Sequence, residues 1–119
     1  MAETKAYTGG CHCGKIRFEV RTDLARVIAC NCSICSKAGW LLAFVAVEHF
    51  MLRSGGDLLS DYQFGKKRIH HLFCPGCGIH SFGGGVGPDG RETRAVNVRC
   101  LENVDVEALT ITPFDGKSL

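Results

Sequence analysis

Eight cysteines in a chain of 119 residues, seven of them gathered into three short groups, limit what this sequence can fold into more than any other feature. The groups are Cys11-His12-Cys13, Cys30-Asn31-Cys32-Ser33-Ile34-Cys35 and Cys74-Pro75-Gly76-Cys77-Gly78, while Cys100 stands alone. A disulfide between Cys11 and Cys13, or between Cys74 and Cys77, would close a tiny strained ring. Metal binding asks for such spacing, because neighbouring thiolates must converge within about 2.3 Å of one ion. The start, MAETKAYTGG, has no basic segment followed by an apolar one. No secretion signal is therefore expected, and a cytoplasmic setting that keeps thiols reduced fits metal binding better than a disulfide framework.

Cys74 and Cys77 read as a zinc knuckle. The turn lets both sulfurs face one ion, Pro75 pre-sets it, and Gly78 lets the backbone fold back. Cys11 and Cys13, two apart on an extended segment, put both sulfurs on one face and His12 on the other. Each pair supplies half of a tetrahedron, so the simplest combination is one closed, structural four-cysteine zinc. The middle group supplies three thiolates: Cys30, Cys32 and Cys35. Three protein ligands and an open position are the arrangement of a catalytic zinc. The alternative is a second closed site completed by Cys100 or by one of the five histidines. Spacing alone leaves other partitions of the seven cysteines open, and tetrahedral thiolates suit iron as well as zinc. The expectation is two zinc ions per chain.

Period-two patterns dominate the rest. Ile16, Phe18 and Val20 alternate with Arg17, Glu19 and Arg21, and Trp40 to Val47 reads as a more buried strand with His49 to Arg53 as its hairpin partner. Further strands are expected at Leu58 to Phe64, Ile69 to Phe73, Val96 to Cys100 and Val106 to Thr112. Short helical turns fit only after Cys35 and at Asp23 to Arg26. Residues 1–119 read as a single all-β domain, in which metals compensate for a modest core. Fourteen basic against twelve acidic residues give +2, with Lys66-Lys67-Arg68 as the one cluster. That excludes the basic stripe of a nucleic-acid binder. No apolar run reaches the ~18 residues of a membrane-spanning helix.

Gly9 to Gly14 (GGCHCG), Cys30 to Gly39 (CNCSICSKAG), and Arg68 ahead of Phe73 to Gly78 (FCPGCG) together resemble the glutathione-dependent formaldehyde-activating family (GFA, or CENP-V/GFA), in order and spacing, over roughly Thr8 to Phe114. The resemblance implies a β-tent fold in which zinc joins two β-layers. It also implies the same partition: Cys11, Cys13, Cys74 and Cys77 on a structural zinc, and Cys30, Cys32 and Cys35 on a catalytic one. Asn31 stands where many members carry histidine. The implied activity is that of a carbon–sulfur lyase, S-(hydroxymethyl)glutathione synthase, with a small thiol and an aldehyde as partners.

A sulfur-rich site suits thiol activation better than Lewis-acid activation of the aldehyde, since three thiolates already drain the ion's charge. No general base stands out among the histidines. His12 is expected at the surface, His49 on a polar turn, His70 and His71 on opposite faces of a strand, and His80 as a satisfied structural residue. Trp40 reads as a core aromatic, with a place at a substrate mouth as the alternative. Lys37, Lys66, Lys67 and Arg68 are the candidates for a substrate carboxylate. Gly83 to Gly87 reads as a loop or hairpin end. Two rival functions remain: a binding module with two structural zincs, and a thiol-redox protein using Cys100, which otherwise reads as a buried core thiol.

Overall fold

The computed structural model describes residues 4–87 and 89–118. Its strands are β1 (Lys5–Gly10), β2 (Arg17–Thr22), β3 (Val27–Cys30), β4 (Leu42–Ala46), β5 (Phe50–Ser54), β6 (Ser60–Tyr62), β7 (His70–Phe73), β8 (Phe82–Val86), β9 (Glu92–Asn97) and β10 (Ile111–Phe114). One helical turn, α1 (Cys35–Ala38), and several 3-10 turns join them. The protein is mainly β, as expected. A three-stranded sheet has the order β1-β2-β5, and a seven-stranded sheet the order β10-β3-β4-β9-β8-β7-β6.

The core lies between the two sheets. The period-two face of β2 supplies Phe18 and Val20, with Ile16 just before it, and all three are almost wholly buried. Opposite them stand Ala43 and Val45 of β4, Phe82 of β8 and Val96 of β9. Each large side chain buried in this way contributes about 1.5–3 kcal/mol. Phe18 stacks on Phe50 at 5.2 Å between ring centroids and meets Phe82 edge-on at 5.9 Å, which locks the layers together. The register places Leu72 and His70, Phe82 and Gly84, and Val96 and Arg94 on this inner face, and His71, Gly83 and Ala95 on the outer one.

Several expected elements are corrected. The Trp40 to Val47 segment is a strand only over Leu42–Ala46, paired along its length with β9 and at Leu42 with β3. The segment expected as its hairpin partner becomes β5 and crosses to pair with β2, because a 3-10 turn at Val47–His49 redirects the chain between the layers. β9 ends at Asn97, whose side-chain oxygen accepts from the Arg99 amide and starts a 3-10 turn containing Cys100. The last strand runs Ile111–Phe114, through Pro113 instead of stopping before it, and pairs in parallel with β3. Pro113 is tolerated because β10 is an edge strand. Asp23 to Arg26 forms no helical turn; Leu24 takes a positive φ of 54° instead.

Candidate metal centres

Two loops, one from each sheet, bring four cysteines together. After β1 the chain turns at Gly14, whose φ of 84° suits glycine, and the Cys11 amide donates to the Ile16 carbonyl at 3.1 Å. The Ile16 amide donates in turn to Cys11 Sγ at 3.4 Å. After β7 the Gly78 amide donates to the Cys74 carbonyl at 2.7 Å, and Gly78 has a φ of 78°. The result is a cluster of Cys11, Cys13, Cys74 and Cys77 whose sulfurs all lie within 4.8 Å of one another. Cys11 Sγ stands 3.5 Å from Cys13 Sγ, and Cys13 Sγ 3.6 Å from Cys74 Sγ. Around one zinc at ~2.3 Å, tetrahedral sulfurs would stand about 3.8 Å apart, so the donor set fits the ion. Backbone amides of Cys13 and Ile79 hold the Cys77 thiol down to about 6. Cys13, which a contact with the Lys15 amide lowers, is nonetheless pushed up to about 11 by the neighbouring sulfurs.

The second cluster, Cys30, Cys32 and Cys35, gathers at the end of β3 and the start of α1. Among the described residues no fourth cysteine, histidine, aspartate or glutamate joins it. Burial pushes Cys35 up to about 12, although the Trp40 indole N–H donates to its sulfur at 3.0 Å. Burial also raises Cys32, but the Cys35 amide and the neighbouring sulfurs carry it below the ordinary thiol value. Trp40 is therefore more than a core aromatic. It stacks on His71 with centroids 5.9 Å apart and planes 7° from parallel, and His71 stacks in turn on Phe64 at 5.4 Å.

The C-terminal segment forms one wall of this cluster. β10 brings Phe114 beside Cys30, and Gly116 lies so close that an added Cβ would sit 2.5 Å from Cys30 Sγ. Asn31 clamps the segment: its Nδ2 donates to Asp115 Oδ1 at 2.9 Å, and its Oδ1 accepts from the Lys117 amide at 2.9 Å. Ser118 Oγ, donating at 2.6 Å, and then Asn31 hold the Asp115 carboxyl below its ordinary value. Nothing in the sequence flagged Gly116 or Asp115. A glycine two residues past a short terminal strand carries no signal until the parallel pairing is known.

On another side, a cleft of about 400 Å³ is lined by Ile34, Lys37, Trp40, Ile79 and His80, sharing α1 and Trp40 with the cluster. His80 is not the satisfied residue that was expected: its Nδ1 is buried without a partner. Burial, and then the charge of His71, lower its pKa. Of the cationic candidates, Lys37 is at this cleft, while Arg68 lines a different one on the inner face. Lys66 and Lys67 occupy an exposed turn closed by the Lys67 amide on the Phe64 carbonyl. His12 and His49 are exposed. Cys100 is half-buried, belongs to neither cluster, and is pushed by burial to about 11. A thiol protonated at neutral pH is a poor redox nucleophile.

The sequence profile described as glutathione-dependent formaldehyde-activating enzyme matches residues 6–112. A crystal structure of a Rhodobacter sphaeroides protein is similar over 89% of this chain and 97% of that one, at 32% identity and a TM-score of 0.79. With the profile spanning both cysteine clusters and most of both sheets, the chain belongs to the glutathione-dependent formaldehyde-activating enzyme family.

Proposed function

We propose that the protein joins a small thiol of the glutathione type to an aldehyde such as formaldehyde, and catalyses the reverse cleavage, as a zinc-dependent carbon–sulfur lyase of the cytoplasm. In the forward direction the thiol sulfur bonds to the aldehyde carbon, the thiol gives up its proton, and the carbonyl oxygen gains one. The observation that carries this reading is the three-thiol cluster: among the described residues no fourth cysteine, histidine, aspartate or glutamate joins it, and a cleft opens beside it. Cys11, Cys13, Cys74 and Cys77 would hold a structural zinc, and Cys30, Cys32 and Cys35 a second one. Bound by three thiolates, that second ion would favour the thiolate form of an incoming thiol at neutral pH.

The remaining work falls to the chain. Lys37 offers an ammonium group to a substrate carboxylate at the cleft mouth. His80 lines the same cleft as an uncharged wall, with its Nδ1 buried and its pKa lowered by burial and then by His71. Trp40 fixes Cys35 through its indole N–H, and His71 holds the indole plane by stacking. The Asn31-clamped segment lies against the opposite side of the cluster.

Glutathione and formaldehyde combine without a catalyst, so the test must measure exchange rates. Two-dimensional exchange NMR of the hydroxymethyl adduct should give faster exchange with wild-type protein than in buffer, and Cys32→Ala should return it to the buffer rate. Equal exchange with wild type and Cys32→Ala would reject this reading. If neither exceeds buffer, a zinc-stabilised binding module becomes the better account.

A further inference from the structure

The inner face of the fold holds a second cleft, of about 490 Å³, at the end of the strands away from the cysteines. Position along β7 separates the two regions: Cys74 follows its last residue, whereas His70 at its first residue lines the cleft. Side also separates them. His70 and Leu72 face the cleft, while His71 faces outward to Trp40 and Phe64. The volume falls within the roughly 300–1,000 Å³ of small-molecule sites.

Its floor is apolar. Phe50 and Phe82, 4.6 Å apart between centroids, form the base, and Val47, Leu59 and Leu72 extend it. Its rim carries two cations, Arg68 and Arg94, with His70 beside them and Glu92 as the one acid in the lining. Glycine in β8 creates the room. At Gly84 the inward side chain is missing, and the Arg94 guanidinium lies across the gap, 3.1 Å from where a Cβ would stand. Arg94 is held by the Thr93 carbonyl at 3.2 Å and only loosely by Glu92 at 3.8 Å. Arg68 makes no ion pair among the described residues. His70 is already engaged with Asp61 through Nδ1 at 2.5 Å. Two arginines that lack a close carboxylate, set above an aromatic floor between two layers, are matched by an anion that carries its own apolar body.

We propose that this inter-sheet cleft binds a small amphiphilic carboxylate, with its acid group between Arg94 and Arg68 and its hydrocarbon or aryl part on Phe50 and Phe82. Arginine forks suit carboxylate geometry, and the apolar body would complete the burial of Phe50, which is only partly buried. The site does not depend on the thiol–aldehyde reading, since it shares no residue with the cysteine clusters or the cleft beside them.

Isothermal titration calorimetry of the full-length, metal-loaded protein with octanoate, octanol and inorganic phosphate tests it. Octanoate is expected to bind at one site, with octanol and phosphate each much weaker. Arg94→Gln and Arg68→Gln, both on the cleft rim, are each expected to weaken octanoate by about tenfold or more, the worth of a charge-assisted hydrogen bond. Gly84→Val is expected to abolish binding by filling the gap, and the two arginine variants keep the test decisive should it fail to fold. Absence of octanoate binding to wild type at millimolar concentration would overturn the proposal. So would octanol or phosphate binding as tightly as octanoate, or unchanged affinity in both arginine variants.

Discussion

Trp40 carries a chemical role that its sequence neighbourhood does not announce. Its indole N–H reaches Cys35 Sγ at 3.0 Å while its ring is buried and stacked on His71. Groups that orient metal ligands in this way typically change affinity by about 10–100-fold when removed. Trp40→Phe keeps most of the packing and loses the donor, so metal affinity at the three-cysteine cluster is expected to fall within that range. A chelator-competition titration reads the loss, and the four-cysteine cluster serves as the internal control. His80 gives a second test at this scale. Burial and then His71 lower its pKa, so the folded state disfavours the imidazolium. Its contribution to stability is therefore complete above the ordinary imidazole value of ~6.5 and is lost as pH falls through the lower folded value. An NMR titration should place His80 below that ordinary value, and His80→Phe should flatten the acid side of the stability profile relative to wild type. A His80 midpoint at or above 6.5 would contradict this account.

Among the elements, the pairing of β3 with β10 matters most to the second cluster. Phe114 aligns with Cys30, and the following residues lie against the sulfurs, held by Asn31. A side chain at Gly116 would collide with Cys30 Sγ. Gly116→Val is thus expected to expel the C-terminal segment and cost the protein its second metal but not its first, as read by metal analysis with circular dichroism to verify the fold. This arrangement was hidden in the sequence because parallel partners more than eighty residues apart leave no local pattern. β8 was hidden for another reason: Gly83, Gly84 and Gly85 offer no side chains to alternate, yet each sits in a paired strand. At Gly83 a Cβ would come within 2.6 Å of the His70 carbonyl, so close approach of strands, not loop flexibility, explains the glycine there. β2, by contrast, was fully legible, because Phe18 and Val20 face a core and Arg17, Glu19 and Arg21 do not.

For the molecule as a whole, two sheets meet over one core and are tied at one end by cysteines from both. Cys11 and Cys13 follow a strand of the smaller sheet, and Cys74 and Cys77 follow a strand of the larger. The spacing of the cysteines made both groupings readable, because short-range pairs constrain the donors before any long-range contact is known. Which pairs combine was not fixed by spacing; the fold gathers Cys11, Cys13, Cys74 and Cys77 in one place and Cys30, Cys32 and Cys35 in another. On the proposed reading of a structural zinc held by Cys11, Cys13, Cys74 and Cys77, a strong chelator that strips this site is expected to unfold the protein or sharply lower its thermal midpoint, whereas emptying the three-cysteine cluster leaves the layers joined. The most direct test of this two-centre account is metal content per chain by elemental analysis, on wild type and on a Cys32→Ala/Cys35→Ala double variant. The account predicts two zinc ions falling to one, with the β-rich circular dichroism spectrum retained. One zinc in both proteins, or a double variant that loses all metal and unfolds, would contradict it.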